Sequence, residues 1–155
     1  MVRKIKNQGG ITLIEIIVVI AIMAVILSIS IPYYAKWKKR MSVESDTKKI
    51  YGVLQTYRMK AFTEKKEFYV KLDGKNLNIY DKETNNKVFT ISLENKFKFT
   101  GSETTKIDID QRGTFYGSSI YAEDYDKADA QYDCVAVSDV RVRLGKYNGE
   151  RCVAR

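Results

Sequence analysis

The stretch Gly10-Ile11-Thr12-Leu13-Ile14-Glu15 opens an apolar run that continues to Ile31 and decides the fold. As a helix, residues 11–31 would extend about 31 Å, close to the hydrocarbon thickness of a bilayer. Glu15 is the one charged side chain between Lys6 and Lys36. A charge at the centre of a membrane helix costs about 2.5 to 3.5 kcal/mol, so an ionisable group there needs a partner. No basic side chain within the run supplies one.

The ten residues before the run form a short basic segment that ends in two glycines. An ordinary secretory signal places its small residues after the apolar stretch, so that cleavage discards that stretch. Here the small residues come first, so a cut after Gly10 would retain the helix and leave a charged amine on Ile11, close to Glu15. The sequence therefore predicts a processing site at Gly10 and Ile11, and a partner for the Glu15 carboxylate in the new amine.

These residues resemble the N-termini of type IV prepilins and of the pseudopilins of type II secretion systems. The resemblance implies that a membrane-embedded prepilin peptidase removes residues 1–10 and methylates the new terminus. It also implies that other pilins or pseudopilins are partners through the N-terminal helix, with Glu15 pairing to the terminal amine of a neighbouring subunit. The chain has Ile11 where the family usually has phenylalanine. An uncleaved membrane anchor with a chance glutamate is the alternative.

Composition limits the chemistry of the rest of the chain. One proline in 155 residues suits a single domain after the anchor. The sequence has no His, which removes the usual general base and the commonest metal ligand. We therefore predict that the protein is not an enzyme and uses no cofactor or metal. Loss of the leader lowers the net charge from +8 to about +5, with 24 basic against 19 acidic side chains remaining.

Charge alone does not set the orientation in the membrane. Basic side chains flank both ends of the apolar run, so the numbers of Lys and Arg residues on its two sides do not indicate which side is cytoplasmic. The resemblance implies a single-pass protein of the inner (cytoplasmic) membrane with an extracytoplasmic C-terminal domain, which joins a pilus or pseudopilus after assembly. Tyr33, Tyr34 and Trp37 directly follow the apolar run and suit a membrane interface.

The remaining periodicity predicts an α+β fold, with one long helix followed by an antiparallel β-sheet. We divide the chain into a leader (1–10), a transmembrane half-helix (11–31), an amphipathic half-helix (32–63) and a β-sheet domain (64–155). Pro32 is expected to kink or loosen the helix because it lacks a backbone donor. An apolar stripe at helical spacing predicts the face that packs on the sheet: Val43, Thr47, Ile50, Leu54, Tyr57 and Ala61.

From Glu67 onward the apolar period changes to two, which is typical of strands. Asp73-Gly74 lies between two alternating runs and predicts a hairpin. Further strands are expected at 88–93, 97–100, 106–110, 114–121, 132–138 and 140–144, with residues 122–131 as a polar excursion. The connections are too short for helical crossovers, which predicts antiparallel pairing. The aromatic residues are interpreted as structural.

The soluble part carries a second, less specific resemblance, to H-type pseudopilins and FimT-like minor pilins. It involves residues 54–61, 107–115 and 135–143. Such proteins sit in small numbers near a filament tip, and some FimT-like members bind DNA. Two function classes therefore stay open: a minor pilin of a type IV pilus, with DNA uptake as a specialisation, and a pseudopilin of a secretion system. A major pilin is a further alternative.

The DNA hypothesis depends on the C-terminal basic residues. A strand would place Arg141 and Arg143 on one face, about 6.6 Å apart, with Val140, Val142 and Leu144 toward the core. Two aligned cations can contact a phosphate backbone. Three more basic residues follow, namely Lys146, Arg151 and Arg155. FimT-like DNA binders have a glycine where Val140 stands, and a solvated outer strand face is the alternative interpretation.

Cys134 and Cys152 are the two cysteines of the chain. Both lie in the part expected outside the membrane, where disulfides persist. A bridge between them would enclose residues 135–151, and closure of such a loop is worth about 3 kcal/mol in the chain-entropy description. Two free thiols are the alternative.

Overall fold

The computed structural model describes residues 11–101 and 105–155. The predicted leader, residues 1–10 with Gly10, lies outside the described residues. The chain divides into two structural units between Trp37 and Lys38. Two helices and ten strands are present in the described residues: α1 Leu13–Glu64, β1 Phe68–Asp73, β2 Asn76–Asp81, β3 Lys87–Ser92, β4 Phe97–Phe99, β5 Ile107–Ile109, β6 Phe115–Tyr116, β7 Ile120–Ala122, α2 Tyr125–Ala128, β8 Cys134–Ser138, β9 Arg141–Tyr147 and β10 Cys152–Ala154.

The first unit contains the apolar part of α1. Its aliphatic side chains are exposed, for example Ile20 and Leu27. By length and composition this part of α1 is long and apolar enough to cross a membrane. Pro32 lies inside the helix, and helical residues continue on both sides of it. The expected loosening therefore does not end the helix, since a proline inside a helix removes one backbone donor and the flanking turns can remain helical.

In the second unit, α1 packs on the sheets through the stripe predicted from the sequence. Val43, Ile50, Leu54 and Ala61 are fully buried, and Tyr57 is nearly so. The helix ends at Glu64, and Lys65 takes a left-handed conformation with φ 55°. The amide of Lys66 then donates to the carbonyl of Ala61 (3.3 Å), which satisfies one of the last free carbonyls of the helix.

The strands form two five-stranded antiparallel sheets. Sheet A has the order β3-β2-β1-β5-β6, and sheet B has the order β10-β9-β8-β7-β4. The β1–β2 turn follows the predicted Asp73-Gly74 hairpin, with Gly74 at φ 60°. Side chains from α1 and from both sheets join one hydrophobic core. The α+β, antiparallel prediction is confirmed, but one sheet was expected and two are present.

Four details differ from the sequence prediction. The single strand expected at 114–121 is two short strands in different sheets, β6 and β7, because Gly117 breaks the run at φ 148°. The polar excursion contains the short helix α2, and β10 was not predicted. Val140 was expected to face the core but is 59% exposed, because it lies in the β8–β9 turn, whereas Val142 on β9 is buried.

Candidate functional site

The start of α1 holds Glu15 in apolar surroundings. Thr12 precedes the helix, and the amide of Glu15 donates to its carbonyl (3.1 Å) and to its hydroxyl (3.4 Å). This is half of a capping box, whose signature Thr-x-x-Glu is readable in the sequence at Thr12 and Glu15 but was missed by the sequence analysis. The local sequence therefore fixes the start of the helix at Leu13, directly after Thr12.

The Glu15 carboxylate has no hydrogen bond or salt bridge with any residue that the structure describes. It lines a shallow concavity with four aliphatic residues, namely Ile11, Ile16, Val19 and Ile20. Ile11 lies four positions before Glu15, which places both on the same side of the helix start. The arrangement presents an exposed acceptor for a cation beside the residue on which cleavage would create an amine.

The second candidate region is the C-terminal edge of sheet B, where the structure contains a Cys134–Cys152 disulfide. The two Cα atoms are 5.9 Å apart. Cys134 is fully buried on β8, and Cys152 begins β10, so the bond joins two strands across β9. Among the described strands, β10 pairs with β9 alone. The disulfide therefore ties the last strand to the middle of the sheet.

Gly145 on β9 leaves room for the disulfide to pass over this strand. A Cβ at this position would lie 2.5 Å from the carbonyl oxygen of Val153 and 2.9 Å from Sγ of Cys152. A glycine inside a strand often marks such a close approach. Gly145 is visible in the sequence, but the sequence prediction did not interpret it as a site of close approach.

The five basic residues proposed for DNA binding do not form one cluster. Arg141 and Arg143 alternate with buried Val142 and are both exposed, and no described residue pairs with either side chain. Lys146 lies on the opposite face of β9 by alternation and forms a salt bridge to Asp129 (3.1 Å). Arg155 lies opposite Leu144, on the same side as Lys146. Arg151 is exposed in the β9–β10 turn.

Three tyrosines lie together beside the disulfide. The rings of Tyr121 and Tyr147 stack with centroids 4.0 Å apart, and the ring of Tyr125 meets Tyr147 edge-on at 4.8 Å. All three are partly exposed. Burial raises the pKa of Tyr147 above the usual phenol value, and the neighbouring tyrosines add to this effect. The tyrosine cluster was not predicted, because it forms only when β7, α2 and β9 come together.

A set of polar contacts, the polar anchor, joins α1 to the β3–β4 loop and to Gln131 between α2 and β8, and it was also not predicted. Asp46 is fully buried, and its Oδ2 accepts from the amides of Glu94 (2.8 Å) and Asn95 (2.9 Å). Lys39 donates to Oδ1 of Asn95 (2.8 Å). Glu44 accepts from the amide of Gln131 and from Arg40.

Electrostatics at the polar anchor favour an ionised Glu44. Burial opposes this ionisation, but the hydrogen bonds from Gln131 and Arg40 outweigh burial and hold the pKa of Glu44 below its ordinary value. Its carboxylate is therefore a stable acceptor for both donors at neutral pH. The polar anchor is a structural joint rather than a reactive site.

Among the described residues, no group of three or more acidic, Cys or His side chains could hold a metal ion. The family described as the prokaryotic N-terminal methylation motif matches residues 5–31. Comparisons with curated proteins and with solved structures return no significant match. The apolar helix and the motif together fit a membrane-anchored pilin that is assembled into a pilus. The chain is therefore a type IV prepilin- or pseudopilin-like protein, with a long N-terminal helix followed by antiparallel sheets.

Proposed function

We propose that the protein is a minor pilin, cleaved after Gly10 by prepilin peptidase and assembled into or at the tip of a type IV pilus. One observation carries the proposal: the carboxylate of Glu15 is exposed among aliphatic side chains and has no partner in the described part of its own chain. A group of this kind in hydrocarbon needs a cation from elsewhere.

Cleavage supplies that cation. The new amine on Ile11 is a basic group that carries a positive charge when protonated. In an assembling filament, the amine of one subunit pairs with Glu15 of its neighbour, so two charges that are costly in lipid neutralise each other. The aliphatic side chains around Glu15 then pack between helices, where association depends on close van der Waals contact.

Topology follows from the same proposal. Residues 11–31 span the inner membrane with the N-terminus in the cytoplasm, and residues 38–155 lie outside it. The Cys134–Cys152 disulfide supports an oxidising exterior for that domain. The exposed rings of Tyr33, Tyr34 and Trp37 suit the outer membrane interface.

Mass spectrometry of the purified native protein tests processing. The expected product begins at Ile11, lacks residues 1–10 and carries one added methyl group. A Gly10→Leu variant should keep the leader, because its side chain occupies the position next to the cut, whereas Ser45→Ala, an exposed change on α1, should be processed normally. Native protein that still carries residues 1–10 would contradict the proposal.

A pseudopilin of a type II secretion system shares the methylation motif and the apolar helix, so the assembly partner separates the two. Co-purification with components of a pilus, together with low copy number in sheared filaments, is expected of a minor pilin. Recovery with a secretion machine, and absence from filaments, would replace this assignment with the pseudopilin alternative.

The exposed pair Arg141 and Arg143 favours DNA as a ligand of the domain. Both guanidinium groups lie on one face and lack partners among the described residues, so they are free to contact phosphates. Arg141→Ala with Arg143→Ala should weaken binding uniformly across sequences and lower the salt slope on duplex DNA by about 0.9 per lost contact. Replacing two exposed lysines elsewhere, Lys75 in the β1–β2 turn and Lys87 on β3, with alanine provides the control for the loss of two positive charges. An unchanged gel shift in the arginine double variant would exclude this ligand site.

A further inference from the structure

Sheet B has one face toward the core and one away from it. Phe97, Ile120, Val135 and Val142 lie on the buried face. Side chains alternate along each strand, so the residues between them point outward. Strand register then defines the outer face of sheet B as one set: Lys98, Tyr121, Cys134, Ala136, Ser138, Arg141, Arg143, Gly145, Tyr147, Cys152 and Ala154.

The two ends of the outer face of sheet B differ in chemistry. Arg141 and Arg143 occupy the end next to the β8–β9 turn. Tyr147 lies about 13 Å further along β9 from Arg143, stacked on Tyr121 and contacted by Tyr125. β9 therefore holds two arginines, which have no partner among the described residues, at a fixed separation from the ring of Tyr147.

Between these ends the outer face of sheet B is low and rigid. Small residues lie there, among them Ala136, Gly145 and Ala154, together with the Cys134–Cys152 disulfide, which crosses β9 at Gly145. The disulfide fixes β10 against β8. No acidic residue of β8, β9 or β10 lies on this face. An extended anionic chain could lie across it without meeting a like charge from these three strands.

We propose that the outer face of sheet B binds single-stranded DNA, with phosphates on Arg141 and Arg143 and bases on the tyrosine cluster. This inference rests on the DNA candidate above and names the form of DNA. Aromatic side chains bind single strands because unpaired bases expose their ring faces, and each stacked base contributes about 1–3 kcal/mol. Bases in a duplex present their edges in the grooves, so the tyrosine cluster would add nothing to duplex binding.

Fluorescence anisotropy with the full-length protein in a zwitterionic detergent tests the form of DNA. The probes are a labelled oligothymidine and a labelled hairpin duplex with the same number of phosphates, at one salt concentration. The parent protein should prefer the single strand. Tyr147→Leu should weaken oligothymidine binding fivefold or more, from one lost stacking contact, and leave duplex binding within twofold. Tyr147→Phe keeps the ring and should bind oligothymidine like the parent.

One control variant and one further ring deletion complete the test. Tyr116→Leu removes an exposed tyrosine of sheet A and should leave both affinities unchanged. Tyr125→Leu is a second ring deletion on the short helix α2, so the test does not depend on one variant that folds poorly. Thermal melting of every variant confirms folding.

The outcomes separate the proposals. A parent that binds duplex as well as single strand, or ring deletions that change neither affinity, would overturn the single-strand inference and leave the arginine site standing. The same conclusion would follow if the arginine variant lost affinity for both probes while the ring deletions kept the affinity of the parent for both. No binding of either probe would overturn the inference and the DNA candidate together, without bearing on filament assembly through Glu15.

Discussion

Asp133 shows how much one buried side chain can contribute to the behaviour of the domain. It is fully buried, its Oδ1 accepts from the amide of Tyr147 (2.6 Å), and its Oδ2 has no hydrogen-bond partner among the described residues. Burial raises the pKa of Asp133 above its ordinary value, against the opposing effects of the Tyr147 amide and the charge of Lys146. The sequence showed an aspartate before Cys134 but could not show its burial, which depends on the pairing of β8 with β9.

Asp133→Asn should therefore change the pH dependence of stability. A carboxyl with a raised folded pKa costs stability above that pKa, and the cost disappears as pH falls toward the unfolded value of about 3.9. Asparagine keeps an oxygen for the Tyr147 amide and removes the charge. We predict a higher melting temperature for the variant at neutral pH and a difference that shrinks in acid, measured by circular dichroism. Exposed Asp126→Asn is the control. A less stable variant at neutral pH would contradict this explanation.

Gly145→Ala tests the close approach of β10 to β9. The added methyl group would meet the carbonyl oxygen of Val153 at 2.5 Å and Sγ of Cys152 at 2.9 Å. Overpacking of this kind costs roughly 1–3 kcal/mol. Gly52→Ala is the matched control, because the added methyl group meets nothing within 4 Å and alanine in a helix is favoured by about 0.5–1 kcal/mol. Urea unfolding should move the two variants in opposite directions, and equal stabilities would disprove the steric account.

At the scale of elements, helices and strands with a regular spacing of apolar residues could be predicted from the sequence, and those without it could not. The stripe on α1 was confirmed because each of its residues repeats at helical spacing and is buried. The split of the strand expected at 114–121 was not predictable from alternation, because the choice of sheet depends on partners distant in sequence. The strand β10 is three residues long and is held by a disulfide and by Gly145, neither of which leaves a periodic signal.

The polar anchor gives an element-scale prediction. Asp46→Ala would leave the part-buried amide of Glu94 and the buried amide of Asn95 without their acceptor, and an unpaired buried donor costs about 1–3 kcal/mol. We predict a loss of at least about 2 kcal/mol in the free energy of unfolding. Hydrogen exchange at those two amides should become faster, because the anchor restrains the β3–β4 loop. Ser45→Ala, one position earlier and exposed, should change neither quantity. Unchanged exchange in Asp46→Ala would show that the loop is held by other contacts.

At the scale of the whole molecule, the N-terminal motif allowed more of the function to be predicted from the sequence than the folded domain did. The order of a short basic segment, Gly10, Glu15 and an apolar run is readable directly from the sequence, and the family match at residues 5–31 covers most of it. The ligand of the domain was harder to predict. Arg141 and Arg143 follow from strand alternation, whereas the tyrosine cluster at the other end of the same face requires the three-dimensional arrangement of β7, α2 and β9.

Filament incorporation of a Glu15→Leu variant is the most direct measurement of the central claim, that Glu15 neutralises the Ile11 amine of a neighbouring subunit. The variant is expressed in cells without an unmodified copy, beside Ile16→Leu as an apolar control, and its amount in sheared filaments is compared with that in membranes. We predict that Ile16→Leu enters filaments normally, while Glu15→Leu is processed but stays in the membrane. Incorporation of Glu15→Leu at the parent level would contradict the account.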